Sequence, residues 1–405
     1  MERIKQNNKE KKMTENRIQN IGTIYRLIEQ FELISRTDLA KLAGLAPASI
    51  TNITKALIDK QFIIERTAQD SISRGRPAVG LSVSPFFWRL LCLTISSEKI
   101  HVSLCELNGT PLYTENYTVS SIDYPSLDTL IMENLQDFQQ KYPLAKEQLL
   151  AISVCVVGKI DADKRMITEL GGQQLHCPLM EKLESHFTHP ILLNEHFHLW
   201  LLAESTVGSL ISDDNVIFLQ LDESINLSVL MRGALLYQQS KMNVDKMLMP
   251  KFSPLSDQIF PELDEIQRYQ LTNQVTFSAL IRLIDLHLPN TLKTSQEKIN
   301  FLCEQIEQQN EQALLILNHI SDNLAYVLMN LINIFSTQKV LFDSPLLKVK
   351  QVLFEQITEK LQKTLLIDNL NIQLVTSQFE WNNEIIPCSA IKQGIYEGSL
   401  IKDIN

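Results

Sequence analysis

Small and hydrogen-bonding side chains recur along the segment 47–55. The set comprises Pro47, Ala48, Ser49, Thr51, Asn52 and Lys55. Short side chains let a backbone approach base edges closely, hydroxyl and amide groups can hydrogen-bond to those edges, and an ammonium group can neutralise a phosphate. The segment therefore predicts a surface for double-stranded DNA, with Ser49, Thr51 and Asn52 at base edges and Lys55 at a phosphate.

Two guanidinium groups stand at a turn further along the chain. Arg74 and Arg76 flank Gly75 and precede Pro77. A narrow minor groove carries a negative potential that attracts guanidinium groups. We expect Arg74, Gly75 and Arg76 to reach into or beside a minor groove, the alternative being an ordinary solvated loop.

Two short helices must position the first of these surfaces. Ser35 followed by Asp38 predicts a capped helix over 36–43, and Gly44 supplies the left-handed residue that ends it. Pro47 suits the first position of a second helix, whose apolar residues Ile50, Ile53 and Leu57 share one face. With β-prone runs at 62–64 and 79–83, this order predicts a winged helix-turn-helix domain over 18–83. An αα-hairpin in an all-α domain is the alternative.

Charge is distributed unevenly along the 405 residues, whose formal net charge is −10. Residues 1–80 hold 14 Lys and Arg against 9 Asp and Glu, whereas the remainder holds 23 against 38. A basic head and an acidic body are typical of a protein that meets nucleic acid with one end only. Residues 1–17 are charged and lack an apolar core, so we expect a mobile basic arm rather than a targeting peptide.

The cysteine usage and hydropathy predict a cytoplasmic protein without membrane insertion. Six cysteines show no CxxC spacing, so reduced, buried thiols are expected. No apolar run approaches the roughly 18 residues that a membrane-spanning helix needs.

The rest of the chain predicts two α/β lobes. Strand-like runs at 90–95, 100–107 and 111–118 precede a helix at 126–140 and a strand at 149–157. Antiparallel strands followed by a helix and another strand are the order of an actin/hexokinase-like (ribonuclease-H-type) lobe. We expect a first lobe over 84–200 and a second over 201–405. The second would include a helical dimerisation region and a C-terminal helix that returns to the first lobe.

Four stretches of the sequence carry a resemblance to a known family: TIYRLIEQFELISRTDLAKLAGLAPASITNITKALIDKQFI, AISVCVVGKID, ILLNEHFHLWLLAESTVG and SAIKQGIYEG. They resemble the ROK family (repressors, open reading frames and kinases), in particular its NagC- and Mlc-type repressors. The resemblance implies an α/β fold with an N-terminal winged helix-turn-helix and a two-lobed ROK body. It also implies a homodimeric, or tetrameric, repressor of amino-sugar genes. Such a repressor binds a palindromic, AT-rich operator and is released by N-acetylglucosamine 6-phosphate, a related sugar or a partner protein.

Three glycine-rich phosphate motifs of the family's kinases are replaced in this chain. The corresponding stretches, at 94–98, 222–228 and 342–345, contain no glycine. The family's zinc motif is also missing, because 245–248 lacks its histidine and 251–264 contains neither cysteine nor histidine. We therefore expect no nucleotide, no zinc, no cofactor and no catalysis, and rank a sugar kinase below a repressor.

The sugar site of the family is matched in part. By resemblance, Gly158, Asn194, Glu195 and Asp245 are the candidate effector-binding residues. An exposed helix N-terminus is the alternative for Asn194 and Glu195. A regulator without a sugar effector, acting through protein partners, remains the alternative function, and the segment 81–87 is the expected moving linkage between head and body.

Overall fold

The computed structural model describes residues 2–67, 79–211, 213–236, 243–364 and 371–401, with side chains throughout these ranges except at 2–15 and 364. The chain divides into two compact units. The first unit comprises Met1–Val207 and Phe379–Asn405, and the second is Gly208–Gln378.

The described residues form α-helices, short 3₁₀ helices and β-strands. The α-helices are α1 Glu2–Phe31, α2 Arg36–Ala43, α3 Pro47–Asp59, α4 Leu127–Lys141, α5 Leu179–His186, α6 His196–Val207, α7 Leu255–Gln258, α8 Glu265–Arg268, α9 Thr272–Val275, α10 Phe277–His287, α11 Ser295–Glu307, α12 Glu311–Phe335, α13 Lys350–Thr364 and α14 Ile385–Tyr396. The 3₁₀ helices are Ser121–Ser126, Lys146–Gln148 and Pro345–Val349. The strands are β1 Ile63–Thr67, β2 Val79–Val83, β3 Arg89–Ile95, β4 Lys99–Glu106, β5 Pro111–Thr118, β6 Leu149–Val156, β7 Gly158–Ile160, β8 Ile167–Leu170, β9 Gln173–Cys177, β10 Ile191–Glu195, β11 Val216–Leu221, β12 Ile225–Met231, β13 Ala234–Leu235, β14 Lys339–Asp343 and β15 Gln373–Val375.

Helices α1 to α3 and the antiparallel pair β1–β2 form the winged helix-turn-helix arrangement that the sequence predicts. Ser35 caps α2, since its Oγ accepts a hydrogen bond from the backbone N–H of Asp38 at 3.1 Å. Gly44 ends α2 with φ of 63° and ψ of 26°, in the left-handed region. Local signals of this kind set helix ends without help from distant residues.

The N-terminal residues differ from the expected mobile arm. Helix α1 begins at Glu2 and continues to Phe31, so the backbone at 2–17 is helical and continuous with the head. The segment contains no proline, its first glycine is Gly22, and glutamate, lysine, glutamine and arginine are good helix formers. High charge was therefore a poor indicator of an unstructured arm.

The first unit is built on a five-stranded sheet of order β10-β6-β3-β4-β5. Strands β3, β4 and β5 are antiparallel, whereas β6 and β10 continue the sheet in parallel with β3. A separate three-stranded sheet, β7-β8-β9, follows β6. Its short, partly polar strands were not predicted from the sequence.

The two faces of this sheet bury different clusters, because successive strand residues point to opposite sides. Leu91, Leu93 and Ile95 pack with α4 and α5 residues on one face. Leu90 and Cys92 belong to the other face. There they share one hydrophobic cluster with the head residues Ile21, Ile24, Tyr25, Ile28, Leu39, Ile50, Ile53 and Leu57 and with the α14 residues Cys388, Ile391 and Ile395. The head and the first lobe, predicted as separate domains, thus have a continuous core.

The second unit contains a five-stranded sheet of order β13-β12-β11-β14-β15, packed with helices α9 to α13. The predicted lobe boundary at residue 200 falls inside α6, which belongs wholly to the first unit. Residues 379–401, including α14, also belong to the first unit. Within the described residues, no helix is both long and apolar enough to cross a membrane.

Candidate nucleic-acid interface and effector site

Helix α3 presents the predicted DNA-contacting residues to solvent. Its apolar residues Ile50, Ile53 and Leu57 are buried against the rest of the head. The opposite face is exposed, and it carries Pro47, Ala48, Ser49, Thr51, Asn52 and Lys55. Because none of these six side chains packs in the core, they are available to contact bases and phosphates when α3 lies in a DNA groove.

Arg36 fixes the orientation of α3. Its Nε donates a hydrogen bond of 3.0 Å to Oγ1 of the buried Thr54, and its Nη2 lies 2.7 Å from Oε1 of Glu65 on β1. The Thr51 hydroxyl is turned toward its own helix, where it donates to the carbonyl of Pro47 at 3.0 Å. Arg36 was missed in the sequence because its two partners lie 18 and 29 residues away.

The wing consists of β1 and β2, paired from Ile63↔Val83 to Thr67↔Val79. The predicted minor-groove residues belong to the segment between these two strands in the sequence. Arg74, Gly75 and Arg76 lie outside the described residues, so their role stays a prediction.

A buried ionic cluster joins the head helix α1 to α14. The Lys392 ammonium and the Tyr396 hydroxyl both donate to the carboxylate of Glu29. Lys392 is 0% exposed and Glu29 is 9% exposed. Burial, followed by the charge and hydrogen bond of Glu29, raises the pKa of Tyr396 well above its usual value, so the phenol stays protonated and donating. Single charged residues inside apolar helical patterns at both positions were the available sequence signal.

Three of the four predicted effector residues come together where β6 and β10 end. Asn194 and Glu195 are the last residues of β10 and lie beside Cys155 and Val156 of β6, while Gly158 begins β7. Polar groups at the carboxyl ends of adjacent parallel strands are a common ligand-binding arrangement.

Each member of this group already has a defined contact. Glu195 Oε1 accepts from the N–H of Ile160 at 3.1 Å, and Asn194 Oδ1 accepts from Nζ of Lys164 at 2.8 Å. A Cβ added to Gly158 would lie 2.1 Å from the carbonyl oxygen of Glu169, so only glycine fits there. Together with Lys164, these residues form the strand-end group: Gly158, Lys164, Asn194 and Glu195.

Lys164 is the member that the sequence did not reveal. It has a positive φ of 54° in the loop between β7 and β8, and it is partly buried. Burial lowers the pKa of its ammonium group, and the nearby Glu195 carboxylate opposes that shift. A partly desolvated cation beside hydrogen-bonding groups suits recognition of an anion.

Comparison with known proteins shows which family has this architecture. The ROK family model matches residues 90–239 and 282–386, well over half of the chain. The chain belongs to the ROK family. The predicted resemblance is thereby confirmed, and the predicted fold class is confirmed by a solved structure of similar fold.

Relatives match over almost the whole length. The DNA-binding transcriptional repressor Mlc of Escherichia coli K12 is 27% identical over 390 residues, which cover 94% of this chain and 95% of that protein. The DNA-binding transcriptional dual regulator NagC of the same organism is 22% identical over 391 residues, covering 95% of each. The crystal structure of a ROK family transcriptional regulator, a homologue of the E. coli Mlc protein, superimposes with a TM-score of 0.78 at 23% identity, covering 96% of this chain and 99% of that one.

The fourth effector candidate, Asp245, belongs to the second unit of this ROK protein. Its backbone N–H donates to Oδ1 of Asn243 at 2.7 Å, and its carbonyl accepts from the N–H of Thr272 at 3.0 Å. Its part in ligand binding stays a prediction.

Carboxylates occupy two of the stretches that correspond to phosphate motifs of ROK kinases. Asp222 follows β11 and accepts from the N–H of Ser224 at 3.0 Å, while Asp343 ends the neighbouring strand β14 and accepts from Gln220 at 3.1 Å. Burial raises the pKa of both groups, and the charge of Asp222 contributes to the rise at Asp343. Negatively charged side chains at the carboxyl ends of these two strands would repel the phosphates of a nucleotide.

Proposed function

We propose that this ROK family member is a DNA-binding transcriptional repressor without enzymatic activity. The observation that carries the proposal is the exposed face of α3, which offers short, hydrogen-bonding and cationic side chains on a helix whose opposite face is buried in the head. The similarity to transcriptional regulators over nearly the full length of the chain supports the proposal. The carboxylates at Asp222 and Asp343 argue against a kinase.

The proposed DNA complex combines the exposed face of α3 with the arginines at 74 and 76. Asn52 and Ser49 contact base edges in the major groove, Lys55 contacts a phosphate, and Arg74 and Arg76 contact the adjacent minor groove. Two copies of the chain bind the two halves of a palindromic, AT-rich operator, since a two-fold protein matches a two-fold site. We place the protein in the cytoplasm and assign the DNA-binding domain to residues 18–83.

The test is a fluorescence-anisotropy titration of full-length protein on an AT-rich palindromic duplex at several salt concentrations. Lys55→Ala should weaken binding and reduce the slope of log K against log salt by about 1 per chain, because one phosphate contact is lost. Asn52→Ala should lose about 1–3 kcal/mol of discrimination between the site and a scrambled duplex.

Lys60→Ala is the matched control. Lys60 caps the far end of α3 and is exposed, so its substitution removes the same charge from the same helix away from the proposed interface. Equal loss of affinity in Lys60→Ala and Lys55→Ala would contradict the proposed orientation of α3, and no binding by the wild-type protein at low salt would overturn the repressor assignment.

We further propose that the strand-end group binds a phosphorylated amino sugar, with N-acetylglucosamine 6-phosphate as the first candidate. Lys164 supplies a cation for the phosphate, and Asn194 and Glu195 supply hydrogen bonds to sugar hydroxyls. The ligand then releases DNA through its higher affinity for one of two arrangements of the protein.

Calorimetry with this ligand tests the effector proposal separately from DNA binding. Lys164→Met should weaken binding at least tenfold, whereas Lys159→Met, at the exposed lysine that pairs with Glu169, should leave it unchanged. If the protein binds its operator but the ligand neither binds the protein nor weakens operator binding, the effector is a partner protein or another small molecule. The Lys164–Asn194 hydrogen bond favours this alternative, because it already satisfies the amide oxygen of Asn194.

A further inference from the structure

Three cysteine thiols from distant parts of the sequence meet in the first unit. Cys92 lies on β3, Cys105 on β4 and Cys388 on α14, and their Sγ atoms all lie within 4.8 Å of one another. The Sγ atoms of Cys92 and Cys388 are 3.6 Å apart. All three residues are 0% exposed, so the cluster is closed to bulk water.

Regular secondary structure holds the three sulfurs in place. Cys92 pairs with Ser103 across β3 and β4, and Cys105 lies two residues further along β4 on the same face. Helix α14 packs on this face and brings Cys388 over the two strand cysteines. A site on strands and a helix needs little reorganisation to bind an ion.

The separation of the sulfurs fits one small ion at their centre. An ion about 2.3 Å from each sulfur, the distance usual for zinc thiolates, holds the three sulfurs of a planar triangle roughly 4 Å apart. The observed upper limit of 4.8 Å and the shorter 3.6 Å contact lie on either side of that value. A modest shift of side chains therefore completes the triangle.

The number and type of ligands select the metal. Thiolates are soft ligands that favour Cu(I) and Zn²⁺. Structural zinc takes four ligands in a tetrahedron, whereas within the described residues this group comprises three cysteines and no further cysteine, histidine or carboxylate. We propose that Cys92, Cys105 and Cys388 form a three-coordinate binding site for Cu(I).

The binding step changes no oxidation state. Three S–H bonds break, three Cu–S bonds form, and three protons pass to solvent, which leaves two net negative charges on the complex. The buried ammonium group of Lys392 lies one turn from Cys388 on α14, where it pairs with Glu29.

The test is an anaerobic titration of reduced, metal-free full-length protein with Cu(I) in competition with a colorimetric Cu(I) chelator. We expect one Cu(I) per chain, a thiolate-to-Cu(I) absorption band in the near ultraviolet, and three sulfur neighbours by X-ray absorption. Cys388→Ser and Cys105→Ala should each weaken retention at least tenfold. Cys177→Ser is the matched control, because Cys177 is equally buried in the same unit but belongs to the cluster on the other sheet face.

Circular dichroism melting of each variant separates loss of the site from loss of the fold, and only variants that melt cooperatively are compared. Failure of the wild-type chain to hold Cu(I) against the chelator overturns the proposal. Two sulfur neighbours instead of three overturn it, as does retention by Cys388→Ser equal to that of Cys177→Ser. Displacement of Cu(I) by equimolar Zn²⁺ would likewise reject the three-coordinate assignment.

Discussion

Glu29 is a carboxylate inside the core that the head shares with the first lobe. Two donors from α14 compensate its buried charge. The Lys392 ammonium neutralises it, and Tyr396 satisfies its second oxygen. Removing one partner of a buried ion pair leaves the other charge desolvated, which costs about 3–5 kcal/mol. We therefore expect Lys392→Met to lower the urea midpoint of the first unit strongly.

A double variant distinguishes this cause from simple loss of packing. Glu29→Gln combined with Lys392→Met removes both charges and keeps similar volumes, so it should regain most of the lost stability. Equal destabilisation of the single and double variants, measured in the same urea series, would show that the charge of Glu29 is not the reason.

His319 on α12 is a second buried polar residue, in the second unit. Its Nε2 lies 3.2 Å from the carbonyl oxygen of Gln274 and its Nδ1 lies 3.2 Å from the Ser253 hydroxyl, an arrangement in which a neutral ring donates through Nε2 and accepts through Nδ1. Burial is the main cause that lowers the pKa of His319 to about 4. In the unfolded chain His319 binds a proton near pH 6.5, whereas in the folded chain it does so only near pH 4. The free energy of unfolding therefore decreases as the pH falls from 6.5 toward 4.

The pH dependence gives a quantitative prediction. Between pH 7 and pH 5, His319 should account for about 2 kcal/mol of lost stability, from roughly 1.36 kcal/mol per pKa unit. His319→Gln retains an N–H donor but cannot titrate, so its unfolding free energy should fall less over this interval. The exposed His176→Gln serves as the control and should follow the wild-type profile in urea titrations at each pH.

At the scale of elements, α2 ends at Gly44 for a conformational reason alone. Its φ of 63° is in the left-handed region, and no atom lies within 4 Å of an added Cβ. A left-handed conformation costs a residue with a Cβ about 1–2 kcal/mol, so Gly44→Ala should lower the melting temperature of the protein.

Asparagine adopts this conformation more readily, so Gly44→Asn should recover part of the loss in the same thermal melts. If alanine and asparagine destabilise equally, the left-handed backbone conformation is not what limits this position.

Elements with local signals were predictable from the sequence. The bounds of α2 and the start of α3 follow from Ser35, Gly44 and Pro47, and the buried strands β3 and β6 were found within one residue at each end. The ionic cluster was not predictable, because Lys392 and Glu29 are 363 residues apart. Lys164 was missed for a related reason, since its contact with Asn194 depends on β7 to β9, strands too short and polar to show a period.

At the scale of the whole molecule, the head contributes residues to the hydrophobic core of the first unit. Ile21, Tyr25 and Ile28 of α1 are buried in one cluster with Leu90 of β3 and Ile395 of α14. Predicting a separate head from a change of sequence pattern at residue 83 therefore located the elements but not the packing between them. A ligand that alters the first lobe acts on a body to which the head is directly packed.

This shared core makes a prediction about fragments. A chain limited to residues 18–83 exposes the apolar face of α1 that β3 and α14 cover in the full protein, and small domains have little burial to spare. We expect the fragment to show a broad, low-temperature melt by circular dichroism and much weaker operator binding than the intact chain. A fragment that melts as sharply, and at the same temperature, as the head region in the full protein would mean that the contacts of α1 with β3 and α14 contribute little to folding. In that case a signal from the proposed effector to DNA would have to pass through the linkage at 81–87 instead of the core.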